Sequence, residues 1–156
     1  MVRRANLFVA SAIAAGLTAA AIPAGAAEHA TPEQAKALVQ DAVTYLKAKG
    51  SDEAIKSFND PKGNFVRGEL YIFVFDNAGN YVASGANPRL AGTTAADLKD
   101  AEGKPLVQEM IAATKDKPEA AVDYVWLNRK TNKVEHKHSY VVREGGYIIG
   151  SGTYDD

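Results

Sequence analysis

The sequence has no cysteine, few prolines and a single tryptophan, and its charges nearly balance. Among 156 residues there are 6 prolines, 18 basic residues and 19 acidic residues. The missing cysteines exclude a disulfide framework and a zinc–thiolate site, although they leave the compartment open. The charge balance does not favour a nucleic-acid partner, which needs a basic face. Length and composition are typical of a soluble globular chain with one domain, or two at most.

Motifs of the common enzyme classes are also missing. The sequence contains no Gly-x-Ser-x-Gly and no phosphate-binding loop. Ser151 lies between Gly150 and Gly152, but it lacks the strand–turn–helix setting of a nucleophile elbow. We interpret these small residues as the place where a packed helix approaches the last strand. The prediction is a protein that is not an enzyme and needs no cofactor.

The N-terminus has the pattern of an export signal. A pair of arginines precedes an alanine-rich apolar run, Leu7–Ile22, and small residues follow it. The run is short and weak for a membrane span, which needs about 20 strongly apolar residues. We therefore predict a signal peptide over residues 1–27, cleaved after Ala26 or Ala27. Residues 28–156 would form one exported domain, free in a bacterial periplasm, since no later segment is apolar enough to cross a membrane.

A long helix is predicted to open the mature chain. Thr31 can cap it, Pro32 suits the first helical position, and Gln34 completes a capping box. Gly50 provides a C-cap. The apolar residues of this segment follow the spacing of one buried stripe: Ala35, Leu38, Val39, Ala42, Val43 and Leu46.

Two shorter helices and a long loop are predicted further along. One helix covers Asp52–Phe58 with Ser51 as its cap, and the other covers Pro105–Thr114. Between them, Asn87–Gly103 reads as a loop that holds a brief helical turn at Ala95–Lys99.

Strand patterns occupy the rest. Leu70–Asp76 is nearly continuously apolar, which predicts a central strand covered on both faces. Tyr81–Ala86 is its antiparallel partner, and Ala121–Tyr154 reads as three strands joined by tight turns. The predicted fold is α+β, a five-stranded antiparallel sheet. The long helix would cover one face and Asn87–Thr114 the other.

Four stretches in this order resemble a known family: Tyr71–Asp76, Asn87–Gly92, Asp97–Ile111 and Val122–Tyr154. The chain resembles a single Cache domain of the bacterial sensory type. The resemblance implies a PAS-like antiparallel sheet with a long N-terminal helix. It also implies an extracytoplasmic pocket for small molecules, often organic acids or amino acids.

Cache domains usually lie between two membrane helices and pass a signal inward. This sequence has no second apolar segment of spanning length and no output domain. The resemblance therefore supports ligand binding better than signalling. We expect the ligand state to be presented to a membrane sensor or transporter, and the resemblance favours a homodimer through the N-terminal helix.

The candidate ligand-binding residues are polar and aromatic and lie mostly on the predicted strands: Lys137, Tyr124, Trp126, Tyr140, Tyr71 and Asn87. A pocket for a small carboxylate needs a cation and a few donors within mostly apolar walls. Lys137 is the candidate cation, the tyrosines are candidate donors, and Trp126 is a candidate wall. Their ordinary alternatives are a solvent-facing lysine, core rings and a turn-forming asparagine.

One conflict is visible within this set. Lys137 and Tyr140 lie three residues apart on one strand, and side chains three apart point to opposite faces. Both can line one pocket only if a bulge intervenes.

Two other functions stay open. His136 and His138 share a strand face, so both imidazoles could reach one metal, with Asp155 and Asp156 as supplements. Two ligands are too few for a tight site, and surface histidines are the plainer reading. Alternatively, the domain is an interaction or dimerisation module without a ligand, which partners a membrane sensor kinase.

Overall fold

The structure is a computed structural model that describes residues 29–155. The predicted signal peptide lies outside these residues. Three helices are α1 Pro32–Lys49, α2 Ser51–Phe58 and α3 Leu106–Ala113, with a 3-10 turn at Pro88–Leu90. The strands are β1 Val66–Arg67, β2 Leu70–Tyr71, β3 Phe73–Asp76, β4 Tyr81–Ser84, β5 Glu119–Asn128, β6 Lys133–Glu144 and β7 Tyr147–Tyr154. Among these helices, none is long and apolar enough to span a membrane.

The main sheet has five strands in the order β4-β3-β7-β6-β5, and every neighbouring pair is antiparallel. The last three strands form the predicted meander, in which each strand pairs with the next along the chain. β7 then pairs with β3 and so lies at the centre of the sheet. The predicted α+β fold with five antiparallel strands is confirmed.

The apolar run Leu70–Asp76 is not one strand. It divides at Ile72, where β2 turns away to form a separate two-stranded hairpin with β1. Only β3 remains in the main sheet, where it pairs with β4 and β7. Leu70 and Ile72 are buried even though they lie outside β3, which is why the sequence pattern shows no interruption at this point.

The beginning of α1 follows the prediction. Thr31 accepts the backbone N–H of Gln34 at 3.3 Å, and the Gln34 side chain accepts the N–H of Thr31 at 2.8 Å. Gly50 ends the helix with φ 82°. The predicted cap of α2 is wrong, because Gly50 also serves as its N-cap and Ser51 is already the first helical residue.

Hydrogen bonds hold the covering loop in place, and the predicted helical turn is reduced to a single hydrogen-bonded turn. Ala95–Lys99 contains one turn, closed from Leu98 N–H to Ala95 O. The end of this loop is anchored by the buried Asp100, whose carboxylate accepts Val125 N–H at 3.0 Å on β5. Burial disfavours the charged form, but the backbone donors around Asp100 outweigh it and lower its pKa.

Two apolar layers enclose the sheet. The first lies against α1 and α2, where Leu38, Leu46 and Phe58 pack on Val74 and Ile149. The second lies on the opposite face under the loop and α3, and it comprises Phe73, Phe75, Tyr81, Ala95, Leu106, Val107, Met110, Val122, Tyr124, Val141 and Ile148. Both faces of β3 are therefore covered, as its sequence predicts.

The leading helix α1 does approach β7, as expected, but the requirement for glycine at Gly150 comes from the second layer. A Cβ at Gly150 would collide with the ring of Phe73 and lie 2.8 Å from Val141 Cγ1. Both neighbours belong to the layer under α3. Ser151 lies between the two glycines, fully buried, and its hydroxyl has no hydrogen-bond partner among residues 29–155.

We expect Gly150→Ala to lower the free energy of unfolding by about 1–3 kcal/mol, because the added methyl overfills a packed layer. Ser151→Ala is the matched control. Removing a buried, unpartnered hydroxyl should leave stability unchanged or raise it slightly. Urea unfolding of both variants checks this, and equal losses at the two positions would contradict it.

Candidate functional site

A row of polar side chains crosses three strands on the sheet face beneath α3. Lys137 on β6 lies directly opposite Tyr124 on β5 and Tyr154 on β7. Residues that face each other in register point to the same side of a sheet. Lys137 is only 1% exposed, and both tyrosines are buried. The row therefore places an ammonium group inside the protein.

The ammonium group of Lys137 is held by phenol oxygens. It donates to the hydroxyl of Tyr71 at 3.0 Å and to that of Tyr154 at 3.2 Å. The Tyr154 hydroxyl in turn donates to Leu127 O at 3.0 Å. Within residues 29–155, no carboxylate lies at ion-pair distance from Lys137. Hydroxyls satisfy donors but do not neutralise charge, so this site favours an anion.

The lysine shifts the acidity of its neighbours. Burial alone opposes ionisation of Tyr71, but the charge and hydrogen bond of Lys137 outweigh it and lower the Tyr71 pKa. Burial raises the pKa of Tyr154 and of Tyr124, whose hydroxyl pairs with Ser139 Oγ at 3.0 Å. Tyr71 is therefore the phenol on which the lysine acts most strongly.

An inner cavity of about 50 Å³ lies between this row and the covering loop. It is lined by Tyr71, Phe73, Phe75, Tyr81, Ser84, Ala86, Asn87, Leu90, Leu106, Met110, Tyr124, Trp126 and Arg129. One water needs roughly 10–15 Å³ of such space, so the cavity holds only a few heavy atoms. Its walls are mostly aromatic and aliphatic, with polar groups at one side.

A larger outer pocket of about 480 Å³ adjoins the inner cavity. Both share Tyr71, Ala86 and Arg129 as lining residues. The outer pocket is bounded further by the β1–β2 hairpin, the β5–β6 turn and the end of β7, with Tyr154 in its wall. Lys137 lines neither space; it lies behind Tyr71 and Tyr154 and reaches them through its hydrogen bonds.

The structure brings together most of the predicted site residues. Tyr71, Asn87, Tyr124 and Trp126 all line the inner cavity. The rings of Tyr124 and Trp126 meet edge to face with centroids 6.2 Å apart. Lys137 is joined to this group through Tyr71 and not by direct exposure to the cavity.

Tyr140 is not brought to the cavity. β6 pairs regularly with β5 and β7, without a bulge, so Tyr140 points to the α1 face. Its hydroxyl donates to Glu119, and the ammonium of Lys36 lies 5.0 Å from its ring centroid. Burial and the Glu119 carboxylate raise the pKa of Tyr140 to about 12. Strict strand alternation is the reason for this separation.

Several lining residues were not predicted from the sequence, among them Arg129, Tyr81 and Tyr154. Arg129 falls among the turn formers after β5, and Tyr81 reads only as a strand residue. Tyr154 could be found from the β6–β7 register, which places it opposite Lys137. That register depends on the turn after Glu144, whose geometry the sequence alone leaves open.

Among residues 29–155 the two histidines do not form a metal centre, and Asp156 lies outside the described residues. In the described part of the chain, no group of three or more His, Cys, Asp or Glu side chains is placed to hold a metal ion. Both ring nitrogens of His138 instead face carboxylates, Asp123 at 2.7 Å and Asp155 at 2.8 Å. These hydrogen bonds raise the pKa of His138.

The sheet is antiparallel, with a long N-terminal helix on one face and a cavity under the covering loop on the other. This arrangement is that of a PAS-like sensor domain. The chain belongs to the single Cache domain 2 family, whose sequence profile matches residues 19–156. Single Cache domains are extracytoplasmic sensor domains of chemotaxis receptors, and as such they are signalling modules.

Relatives agree with this assignment. A Cache chemosensory domain, solved to explain its carboxylic acid recognition, is 28% identical, with a TM-score of 0.66 over 80% of this chain and 92% of that one. A periplasmic sensor domain of a chemotaxis protein is 26% identical, with a TM-score of 0.62 over 80% and 90%. The methyl-accepting chemotaxis protein McpP of Pseudomonas putida is 28% identical over 88 residues, 55% of this chain but 16% of that protein.

We predict that His138 makes the stability depend on pH. Its pKa is raised above the ordinary 6.5, so its contribution is present below that value and is lost as the pH rises through the folded-state pKa. The free energy of unfolding, measured from about pH 6 to about pH 9, should fall more in the native chain than in His138→Gln. His136→Gln should follow the native chain, and parallel curves for all three would contradict the prediction.

We expect Lys137→Met to raise the free energy of unfolding by roughly 1 kcal/mol, because it replaces a buried, unneutralised charge by an apolar chain of similar length. Lys137→Ala should lower it, since it leaves a hole. Urea unfolding without added acid checks this. A loss of stability in Lys137→Met as large as that in Lys137→Ala would contradict it.

Proposed function

We propose that the chain is an exported, periplasmic binding module that captures a small organic acid without changing it chemically. The observation that carries this proposal is the buried ammonium of Lys137, which meets hydroxyls and no carboxylate among residues 29–155. The carboxylic acid recognition attributed to a 28% identical Cache chemosensory domain supports it.

Lys137 acts through Tyr71 in this proposal. The ammonium group donates to the phenol oxygen, which leaves the O–H free to donate and polarises it. A carboxylate beside Tyr71 would accept that hydrogen bond and balance the charge of Lys137. Asn87 and Trp126 line the same cavity and would orient the acid.

The apolar part of the inner cavity would take the carbon chain. Phe73, Phe75, Leu106 and Met110 form this side. A volume of about 50 Å³ favours acids with a short chain, because a longer one would displace packed side chains.

The bound state would be presented to a membrane sensor or transporter. The family assignment and the chemotaxis relatives support this role, and the N-terminal signal pattern supports the periplasm. Dimerisation through α1 stays a prediction.

A thermal-shift screen with short monocarboxylates and amino acids tests the function. A ligand that binds only the folded state raises Tm, and the rise grows with the ratio of ligand concentration to Kd. We expect at least one short carboxylate to raise Tm, and Lys137→Met to abolish the rise. Tyr71→Phe, which removes only the hydroxyl, should weaken it.

Lys133→Met is the matched control, since Lys133 is an exposed lysine on the same strand that lines neither cavity. It should keep the full shift. An absence of any shift across both ligand classes, or an unchanged shift in Lys137→Met, would contradict the proposal.

A further inference from the structure

Arg129 is a further cation of the site, and unlike the buried Lys137 it lines the cavities directly. Lys130 lines the outer pocket as well, but not the inner cavity. Arg129 lies in the turn after β5 and is exposed. It lines both the inner cavity and the outer pocket. Within the described residues, its guanidinium has no hydrogen bond or ion pair.

The outer pocket offers no free carboxylate to pair with Arg129. Its one acidic lining residue is Glu69, whose side chain is only 3% exposed. Both Glu69 oxygens face His29 Nδ1, and one also accepts the N–H of Ala30 at 2.7 Å. The Glu69 carboxylate is therefore already paired. The guanidinium of Arg129 stays available to an anion in the pocket.

The two spaces suit different parts of one molecule. The inner cavity has room for a few heavy atoms only, whereas the outer pocket of about 480 Å³ is open and adjoins it at Tyr71. A planar guanidinium binds a carboxylate through two parallel hydrogen bonds, which an ammonium group cannot do. An acid group held at Tyr71 would thus have a second acid-binding group within the adjoining pocket.

We infer that the outer pocket is a second anion subsite, and that Arg129 makes the domain prefer a short acid with two carboxylates over one with a single carboxylate. One carboxylate lies at Tyr71, as in the proposed function on which this inference rests. The carbon chain of such a diacid runs from Tyr71 into the outer pocket, and not into the inner cavity as proposed for a monocarboxylate, so that the other carboxylate lies against Arg129. Arg129 is thereby a specificity-determining residue.

Titration calorimetry with succinate and butyrate tests the inference, because the two acids have the same carbon chain and differ in one carboxylate. The native chain should bind succinate more tightly, with one molecule per chain. Arg129→Gln should reduce the ratio of succinate to butyrate affinity by about tenfold or more, the range for a charge-assisted pair of hydrogen bonds. Its unligated Tm should stay unchanged, since Arg129 is exposed.

Lys133→Gln is the control for general charge, because it removes one positive charge from the same hairpin but lines neither space. It should leave the affinity ratio unchanged. An equal effect of Lys133→Gln and Arg129→Gln would overturn the inference, as would a native preference for butyrate or two butyrate molecules per chain.

The inference and the proposed function fail in different ways. If butyrate or another monocarboxylate binds and Lys137→Met abolishes that binding, the proposed function stands. An unchanged affinity ratio in Arg129→Gln then overturns the second subsite alone. If no acid binds the native chain, both are overturned.

Discussion

Lys137 donates its ammonium hydrogens to two phenols in a place where water is excluded, and the surrounding structure is organised to make that arrangement possible. Tyr124 and Tyr154 lie on the two sides of Lys137 because β5, β6 and β7 pair without a bulge. Tyr71 reaches the ammonium group because β2, which carries it, lies outside the main sheet, beyond the division of the run at Ile72. Removing a charge from water is costly unless an opposite charge compensates it. Among residues 29–155 the ammonium group meets the hydroxyls and ring faces of Tyr71 and Tyr154 but no carboxylate, and an anionic ligand would supply the missing opposite charge.

The two apolar layers give the lysine its setting. α1 and α2 stabilise one face of the sheet, so the other face can hold a cavity and polar groups without loss of the fold. The covering loop over that face is fixed at Asp100. The Asp100 carboxylate accepts backbone N–H groups from the residues that follow it in the chain and from β5. Natural proteins accept local instability at binding sites and offset it elsewhere. The buried lysine is such a local cost in this domain.

Periodicity and capping rules predicted much of this structure. The capping box at Thr31, the turn at Gly50 and the three-strand meander follow from local preferences, which need few distant contacts. Strand alternation also revealed the conflict between Lys137 and Tyr140, and the regular pairing of β6 shows that Tyr140 is the one that does not face the cavity. The break at Ile72 could not be predicted, because a continuous apolar run is buried in either arrangement.

The finer arrangement of the site depended on distances that spacing does not encode. Alternation assigns Lys137 to a face, but it does not say that Tyr71 and Tyr154 intervene between the lysine and each cavity. Arg129 was not predicted as a lining residue, because a turn pattern in the sequence indicates the backbone conformation and not the position of the side chains. Tertiary packing sets the positions of these side chains, and the structure is needed to find them.

A crystal structure of the chain with a bound short carboxylate tests the central claim most directly. For a monocarboxylate, we expect a carboxylate oxygen within hydrogen-bond distance of the Tyr71 hydroxyl or of the Lys137 ammonium, with the carbon chain towards Phe73 and Met110. An acid bound on the surface, with side chains filling the inner cavity and a protein carboxylate paired to Lys137, would contradict it.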